Sequence, residues 1–202
     1  MSTQHRAEET HQRILDAALY AFARQGYDAT GVAEICQRAG ITKGGFYHHF
    51  RSKQEVFLEL LERWLKEIDL QMEATRSAGT TVPEGLMTMT DMIDRVFQVA
   101  GGQLPLFLEF LTQAAHSPVF GQATAVPIRR YVGFFTEMVT DGIAEGALRP
   151  VDPHIVARVL LAFAMGLLTA GLLDPIGANW GDVARTGMRT FLAGLEPQGQ
   201  LS

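Results

Sequence analysis

Residues 39–55, AGITKGGFYHHFRSKQE, concentrate side chains suited to anion chemistry in one short run. Lys43 supplies a fixed positive charge. Gly44 and Gly45 leave the peptide backbone uncovered, so that its amides can approach a surface closely. Tyr47 and His48, one turn further on, carry donors that suit phosphate oxygens. Two adjacent glycines cost up to about 1 kcal/mol each inside a helix. A segment selected only for helix stability would not contain them, so the pattern points to close backbone approach by a partner.

The elements that hold this run follow from apolar spacing. Ile14, Leu15, Ala18, Leu19, Phe22 and Ala23 recur one turn apart on one helix face, and Gly26 ends that helix. Val32, Ile35, Cys36 and Ala39 predict a second helix of two turns, closed by Gly40. Thr42 is placed to cap a third short helix with its hydroxyl, and Phe46 and Phe50 give it an apolar side. Ser52-Lys53-Gln54-Glu55 reads as a capping box opening a fourth helix, with Val56, Phe57, Leu60, Leu61, Trp64, Leu65 and Ile68 on its apolar face. Short helices with a glycine turn between the last two form a helix-turn-helix, which sets its final helix in the major groove of DNA. Lys53 in the first turn of helix four opposes the helix dipole, as expected of a residue facing a bound phosphate.

Other chemistries find little support. His48 and His49 are adjacent and diverge around a helix, and no HExxH or paired-cysteine spacing occurs, so no metal site is expected. The single cysteine, Cys36, lies on an apolar face and reads as a core residue. No nucleophile elbow, Walker loop or dinucleotide fingerprint is present, so neither enzymatic activity nor a cofactor is expected. Glu109, Gln113 and His116 share one helix face and read as a polar stripe.

Residues 10–57 resemble the DNA-binding head of TetR-type transcriptional regulators. The resemblance rests on Ile14, Ala17, Ala18, Phe22, Gly26, Tyr27, Thr30, Val32, Ile35, Ala39, Gly40, Ile41, Lys43, Gly44, Phe46, Tyr47, Phe50, Lys53 and Glu55. Gly45, and often Gly31, stand where that family carries a hydroxyl residue. The resemblance implies an all-α protein: a three-helix head over residues 1–53, and a larger helical effector-binding and dimerisation domain over 54–202. It implies DNA contacts from Thr30, Gly31, Thr42, Lys43, Gly44, Gly45, Tyr47, His48 and Lys53. It also implies a homodimeric repressor that binds a palindromic double-stranded operator and is released by a small-molecule effector.

Composition and charge suit such a division. The 202 residues are 47% hydrophobic and 19% charged, enough for a folded core. Net charge is -5, which excludes a globally basic coat. Residues 1–53 nevertheless hold seven Lys/Arg against five Asp/Glu, while the remainder holds ten against seventeen. The polar N-terminal stretch MSTQHRAEETHQR lacks a secretory leader pattern, and the expected location is cytoplasmic.

The body reads as further helices punctuated by Pro83, Gly101-Gly102, Ser117-Pro118, Asp152-Pro153 and Asp174-Pro175, with Pro127 as a kink or a true start. Its methionines and aromatics suit an apolar cavity, for which the candidates are Met92, Arg95, Phe107, Phe110, Glu109, Gln113, Tyr131, Phe134 and Met138. Val159–Leu173 is the longest uncharged apolar run and falls short of the ~20 residues that span a bilayer, so a buried helix and no membrane are expected. Within it Ala162, Gly166 and Ala170 form a small-residue stripe. With Met188, Phe191 and Leu192 of the last helix it is expected to build the dimer interface. The rival reading is a helical ligand-binding or scaffold protein without operator-specific DNA binding.

Overall fold

The computed structural model describes residues 3–98 and 103–197; the side chains of Thr3, Met92, 94–98, 103 and 104 lie outside that description. Among the described residues every regular element is an α-helix. In chain order they are α1 (Thr3–Gln25), α2 (Val32–Ala39), α3 (Lys43–His49), α4 (Lys53–Ser77), α5 (Val82–Gln98), α6 (Gln103–His116), α7 (Pro118–Ala144), α8 (Pro153–Leu173) and α9 (Trp180–Ala193).

The chain divides into two compact units. One comprises Met1–Glu67 and Gly101–Thr124, the other Ile68–Ala100 and Ala125–Ser202, so α4 and α7 each supply turns to both. The sequence-based head, 1–53, falls whole within the first unit. That unit also takes α6 and the start of α7, because α6 offers an apolar face to the aromatic core of the head.

The first core is built around Phe57 of α4. Its ring lies 5.3 Å from Phe22, 4.7 Å from Tyr27, 4.5 Å from Phe110 and 5.2 Å from Phe120. Tilted and edge-on rings at such spacings add to the gain from apolar burial. Ile14, Leu15, Phe22, Ile35, Phe46, Phe50 and Val56 are all fully buried around it. These are the residues that the helical spacing picks out.

Local chemistry sets the helix ends. Gly40 adopts φ 65°, ψ 41°, a left-handed conformation natural to glycine, and the Ile41 amide donates back to the Cys36 carbonyl at 3.0 Å. Arg13 of α1 donates to the Ala39 and Gly40 carbonyls, satisfying the exposed end of α2. The Thr42 hydroxyl accepts from the Gly45 amide at 3.1 Å, so α3 starts where the sequence places it. At α4 the Ser52 hydroxyl accepts from the Glu55 amide at 3.2 Å, while the Glu55 carboxylate reaches one residue further back, to the Arg51 amide at 2.6 Å.

In the second unit α5 and α8 pack beside α9. Val82, Leu86, Val139, Leu148, Ala157, Leu160, Ala184, Met188 and Leu192 are buried there. Arg130 grips both carboxylate oxygens of Asp69 at 2.7 Å, tying α7 to the later turns of α4, and Arg76 meets Glu137 at 3.2 Å. Pro127 lies inside α7 rather than at its start. Asp152 caps α8 by accepting from the His154 and Ile155 amides, with Pro153 at the first helical position.

Two expectations for this unit are corrected. α8 extends the fifteen-residue apolar run to 21 residues, because Pro153–Arg158 continue the helix, and it is long and apolar enough to cross a membrane by length and composition. Met188 and Leu192 do not lie on an open face; they are buried in the chain's own core, where the pattern Ala184, Met188, Leu192 and Leu195 turns α9 inward. Ala162 and Gly166 are exposed, and Ala170 and Phe191 are half-buried.

Candidate nucleic-acid interface

α3 is a two-sided helix. Phe46 and the following Phe50 are locked into the first core at 0% and 2% exposure. Lys43, Gly44, Tyr47 and His48 recur at i, i+1, i+4 and i+5 on the opposite side, and all are exposed, Tyr47 at 56%. The Tyr47 ring stands edge-on to that of Phe46 at 5.4 Å and is otherwise more than half exposed. Thr42 is exposed at the helix start, its hydroxyl already accepting from Gly45. Gly31 is exposed at the N-terminus of α2, with no side-chain cap and no atom within 4 Å of an added Cβ.

Neither Gly44 nor Gly45 is demanded by the chain's own geometry. A Cβ on Gly44 would meet only the Thr42 hydroxyl at 3.8 Å. One on Gly45 would meet that hydroxyl at 3.5 Å and Ile41 at 3.8 Å, both ordinary contacts. Only Gly26, Gly40, Gly79 and Gly146 take positive φ among the described residues. The lack of side chains in the first turn of α3 is therefore open to explanation by what the helix meets.

Two expected DNA contacts have other employment. Thr30 is 1% exposed; its hydroxyl donates to the Gly26 carbonyl at 2.8 Å and accepts from Gln25 at 3.2 Å, which fixes the turn between α1 and α2. Lys53 points inward, donating to the Tyr27 and Thr30 carbonyls, with its ammonium 4.1 Å from the Tyr27 ring centre. Burial pulls this ammonium below the usual lysine range, and the Asp28 and Glu109 carboxylates oppose that shift. The sequence places Lys53 at a helix start but carries no sign of which carbonyls fold over it.

A basic–aromatic stack on the same unit escapes the sequence reading. Tyr20 of α1 is exposed, with the Arg38 guanidinium 3.7 Å from its ring centre and Arg24 donating to its hydroxyl at 2.7 Å. That hydrogen bond and the charge of Arg24 draw the Tyr20 hydroxyl below the usual tyrosine range. The available signal was an aromatic opposite the core face of α1, with an arginine four residues on.

The candidates for an effector cavity are divided between the units. Phe107, Glu109, Phe110 and Gln113 belong to the first, Tyr131, Phe134 and Met138 to the second, and the Met92 and Arg95 side chains lie outside the described residues. Phe110 is part of the aromatic core of the head, and Phe107 packs on Trp64 at 5.4 Å. Gln113, almost fully buried, donates to Asp28 at 3.2 Å and to Glu109 at 3.0 Å. The polar stripe of α6 thus serves the α1–α2 turn. Among the described residues no group of histidines, cysteines and carboxylates is arranged to hold a metal ion.

Comparison with known proteins matches this arrangement at both ends of the chain. Residues 14–60 match the family described as bacterial regulatory proteins, tetR family, and residues 83–196 match the BetI-type transcriptional repressor, C-terminal. The chain is 41% identical over 75 residues to the HTH-type transcriptional regulator AcrR of Shigella flexneri, covering 36% of this chain and 35% of that protein. It is 30% identical over 153 residues to the HTH-type transcriptional repressor KstR of Mycolicibacterium smegmatis, covering 75% of this chain and 71% of that protein. Its fold matches the transcriptional regulator FadR of Bacillus subtilis in complex with stearoyl-CoA, with a TM-score of 0.77 at 19% identity, over 92% of this chain and 99% of that one. The helix-turn-helix at 14–60 and the helical body at 83–196 are thus each matched by a regulator family. The chain belongs to the tetR family of bacterial regulatory proteins and is a dimeric, DNA-binding transcriptional regulator.

Proposed function

We propose that this chain is a cytoplasmic homodimeric repressor whose paired α3 helices enter successive major grooves of a palindromic operator. Lys43, Tyr47 and His48 make the side-chain contacts, and the Gly44–Gly45 backbone lies close to the DNA. The two-sided division of α3 carries this reading: two phenylalanines anchor it in the core, while a lysine, a glycine, a tyrosine and a histidine occupy the exposed side. A two-fold dimer reads two half-sites about one helical turn apart, which is the origin of operator symmetry. The exposed side of α8, with Ile155, Val159, Ala162 and Gly166, is the dimer surface, since an apolar stripe of this kind is unfavourable in water unless a second copy covers it.

Release follows when a small apolar effector binds the body and favours a different spacing of the heads. Phe134 and Met138 suit the apolar part of such a molecule, and the buried Tyr131 hydroxyl its polar end. Burial pushes that hydroxyl up to about 12, so it is neutral at ordinary pH; it already has the Arg130 and Asp69 side chains as hydrogen-bond partners, which a ligand would share. Selection of bound sequences from a random DNA pool at two salt concentrations tests the operator. A palindromic motif whose binding weakens steeply with salt is expected. An unenriched pool at both concentrations would overturn the proposal.

A further inference from the structure

Three histidines meet where α3 is held against α1 and α4. His11 of α1 stacks on Phe50 at 4.5 Å and shares a 2.8 Å hydrogen bond with the Glu59 carboxylate of α4. Its ring centre lies 5.9 Å from that of His49, on the half-buried side of α3, and His49 lies 5.3 Å from His48. Arg63 of α4 also engages Glu59, at 3.1 Å, and donates to Gln12 of α1 at 2.6 Å. The charged and titratable groups around His49 are therefore Glu8 and His11 from α1, His48 from α3, and Glu59 and Arg63 from α4.

We infer that the His11–His49–Glu59 cluster is a proton-sensitive clasp that loosens α3 from α1, and weakens operator binding, as the surroundings become acidic. The operator half of this inference rests on the function proposed above. With neutral histidines, Arg63, paired with Glu59, is the only cation among these groups, which include the two carboxylates Glu8 and Glu59. When all three rings are protonated, four cations face the same two carboxylates. Three of those cations then lie within 6 Å of a neighbouring imidazole, with the inner one half-buried. Like charges so placed repel, and more strongly where water is partly excluded.

Burial, joined by the charges of His48 and His11, holds His49 below the usual histidine range, and Glu8 opposes the shift. The sign follows from linkage. A detached α3 would bind the proton at the ordinary histidine value, whereas the clasped α3 resists it, so the clasp is intact above that value and weakens as pH falls through it. His48, exposed on the DNA side, belongs to the proposed operator contact. The comparison that isolates the clasp must therefore leave His48 in place.

The test uses the full-length dimer of the wild type, His11→Gln and His49→Gln. Histidine ring nitrogen resonances are followed without DNA from about pH 8 to about pH 5, the interval in which imidazoles titrate. Operator affinity is then measured over the same interval by fluorescence anisotropy. His49 should titrate below the ordinary value in the wild type and move upward in His11→Gln, which removes a neighbouring cation. Wild-type affinity should fall roughly three- to tenfold more on acidification than that of either variant. A His49 midpoint that ignores the loss of His11, or equal pH slopes in all three proteins, overturns the clasp. A chain that binds no operator at any pH overturns the functional proposal and the operator half of this one, and the free-protein titration then decides the coupling alone.

Discussion

The Lys53 ammonium of α4 donates to the Tyr27 carbonyl at 2.6 Å, while its positive end lies over the ring of the same residue. A cation in the first turn of a helix opposes the dipole. Here it is held in place by two carbonyls that close the α1–α2 turn, the second being Thr30 at 2.9 Å. Lys53→Met should therefore lower folding stability by about 1–3 kcal/mol, since carbonyls that lose a charged donor are left short of a partner. Urea unfolding measures it. A variant of unchanged stability but reduced operator affinity would restore Lys53 to the DNA-contacting set.

Lys43 and Tyr47 are expected to behave in the opposite way. Both are exposed, and the one ring contact of Tyr47 is an edge-on approach to Phe46 at 5.4 Å, so alanine should leave stability within about 0.5 kcal/mol of wild type at Lys43 and lower it by no more than about 1 kcal/mol at Tyr47. Lys43→Ala should weaken operator binding and lower the salt slope by about 1, the signature of one lost phosphate contact. Tyr47→Ala should weaken binding with little change in slope. Equal affinities for both variants and the wild type would remove α3 from the interface.

The glycines of the head separate by what they are for. Gly45→Ala meets only ordinary contacts and should stabilise the protein by about 0.5–1 kcal/mol through helix propensity, yet weaken operator binding by displacing the DNA from the backbone. Gly40→Ala should destabilise by about 1–2 kcal/mol, because φ is +65° and the new Cβ would lie 2.8 Å from the Arg13 guanidinium. Thermal melting of the two variants should move in opposite directions.

Much of the head was legible because its signals are local. The spacing of Ile35, Cys36 and Ala39, the glycine at 40 and the hydroxyl at 42 each constrain their own few residues, and the helices start and stop accordingly. The surroundings of Lys53 are not legible because its partners lie in the α1–α2 turn, 23 or more residues away. Thr30 bonds locally, to Gly26 and Gln25, but a hydroxyl at that position reads equally well as a turn residue or as an outward contact. The α6 stripe was visible as a stripe, but not its partner Asp28, 85 residues distant from Gln113. Met188 and Leu192 read equally well as outward or inward apolar residues. Only the packing of α5 and α8 beside α9 decides which.

Gln113 offers a test of that long-range link. It is 7% exposed and bridges Asp28 and Glu109, two carboxylates that would otherwise face each other without a shared donor. Gln113→Leu keeps the volume and removes the donor. The expected loss is about 1–3 kcal/mol, the cost of leaving a partly buried polar group unsatisfied. Stability should recover in part in the Gln113→Leu, Glu109→Gln double variant, which removes one charge and restores a donor. Additive losses in the pair would show that the two side chains act independently.

Dimerisation can be separated from folding on α8 and α9. Gly166 has nothing within 4 Å of an added Cβ in the single chain, so Gly166→Leu fits the folded subunit and gains helix propensity of roughly 1 kcal/mol. In a dimer that brings two small-residue stripes together, the same side chain occupies space needed by the partner helix. The variant should therefore fold, sediment as a monomer at concentrations where the wild type is dimeric, and lose operator affinity, because two half-sites can no longer be bound together. Met188→Ala provides the contrast. Its side chain is buried in its own subunit, so it should cost about 2–5 kcal/mol of folding stability through the cavity it leaves. A dimeric Gly166→Leu would place the interface elsewhere on the body.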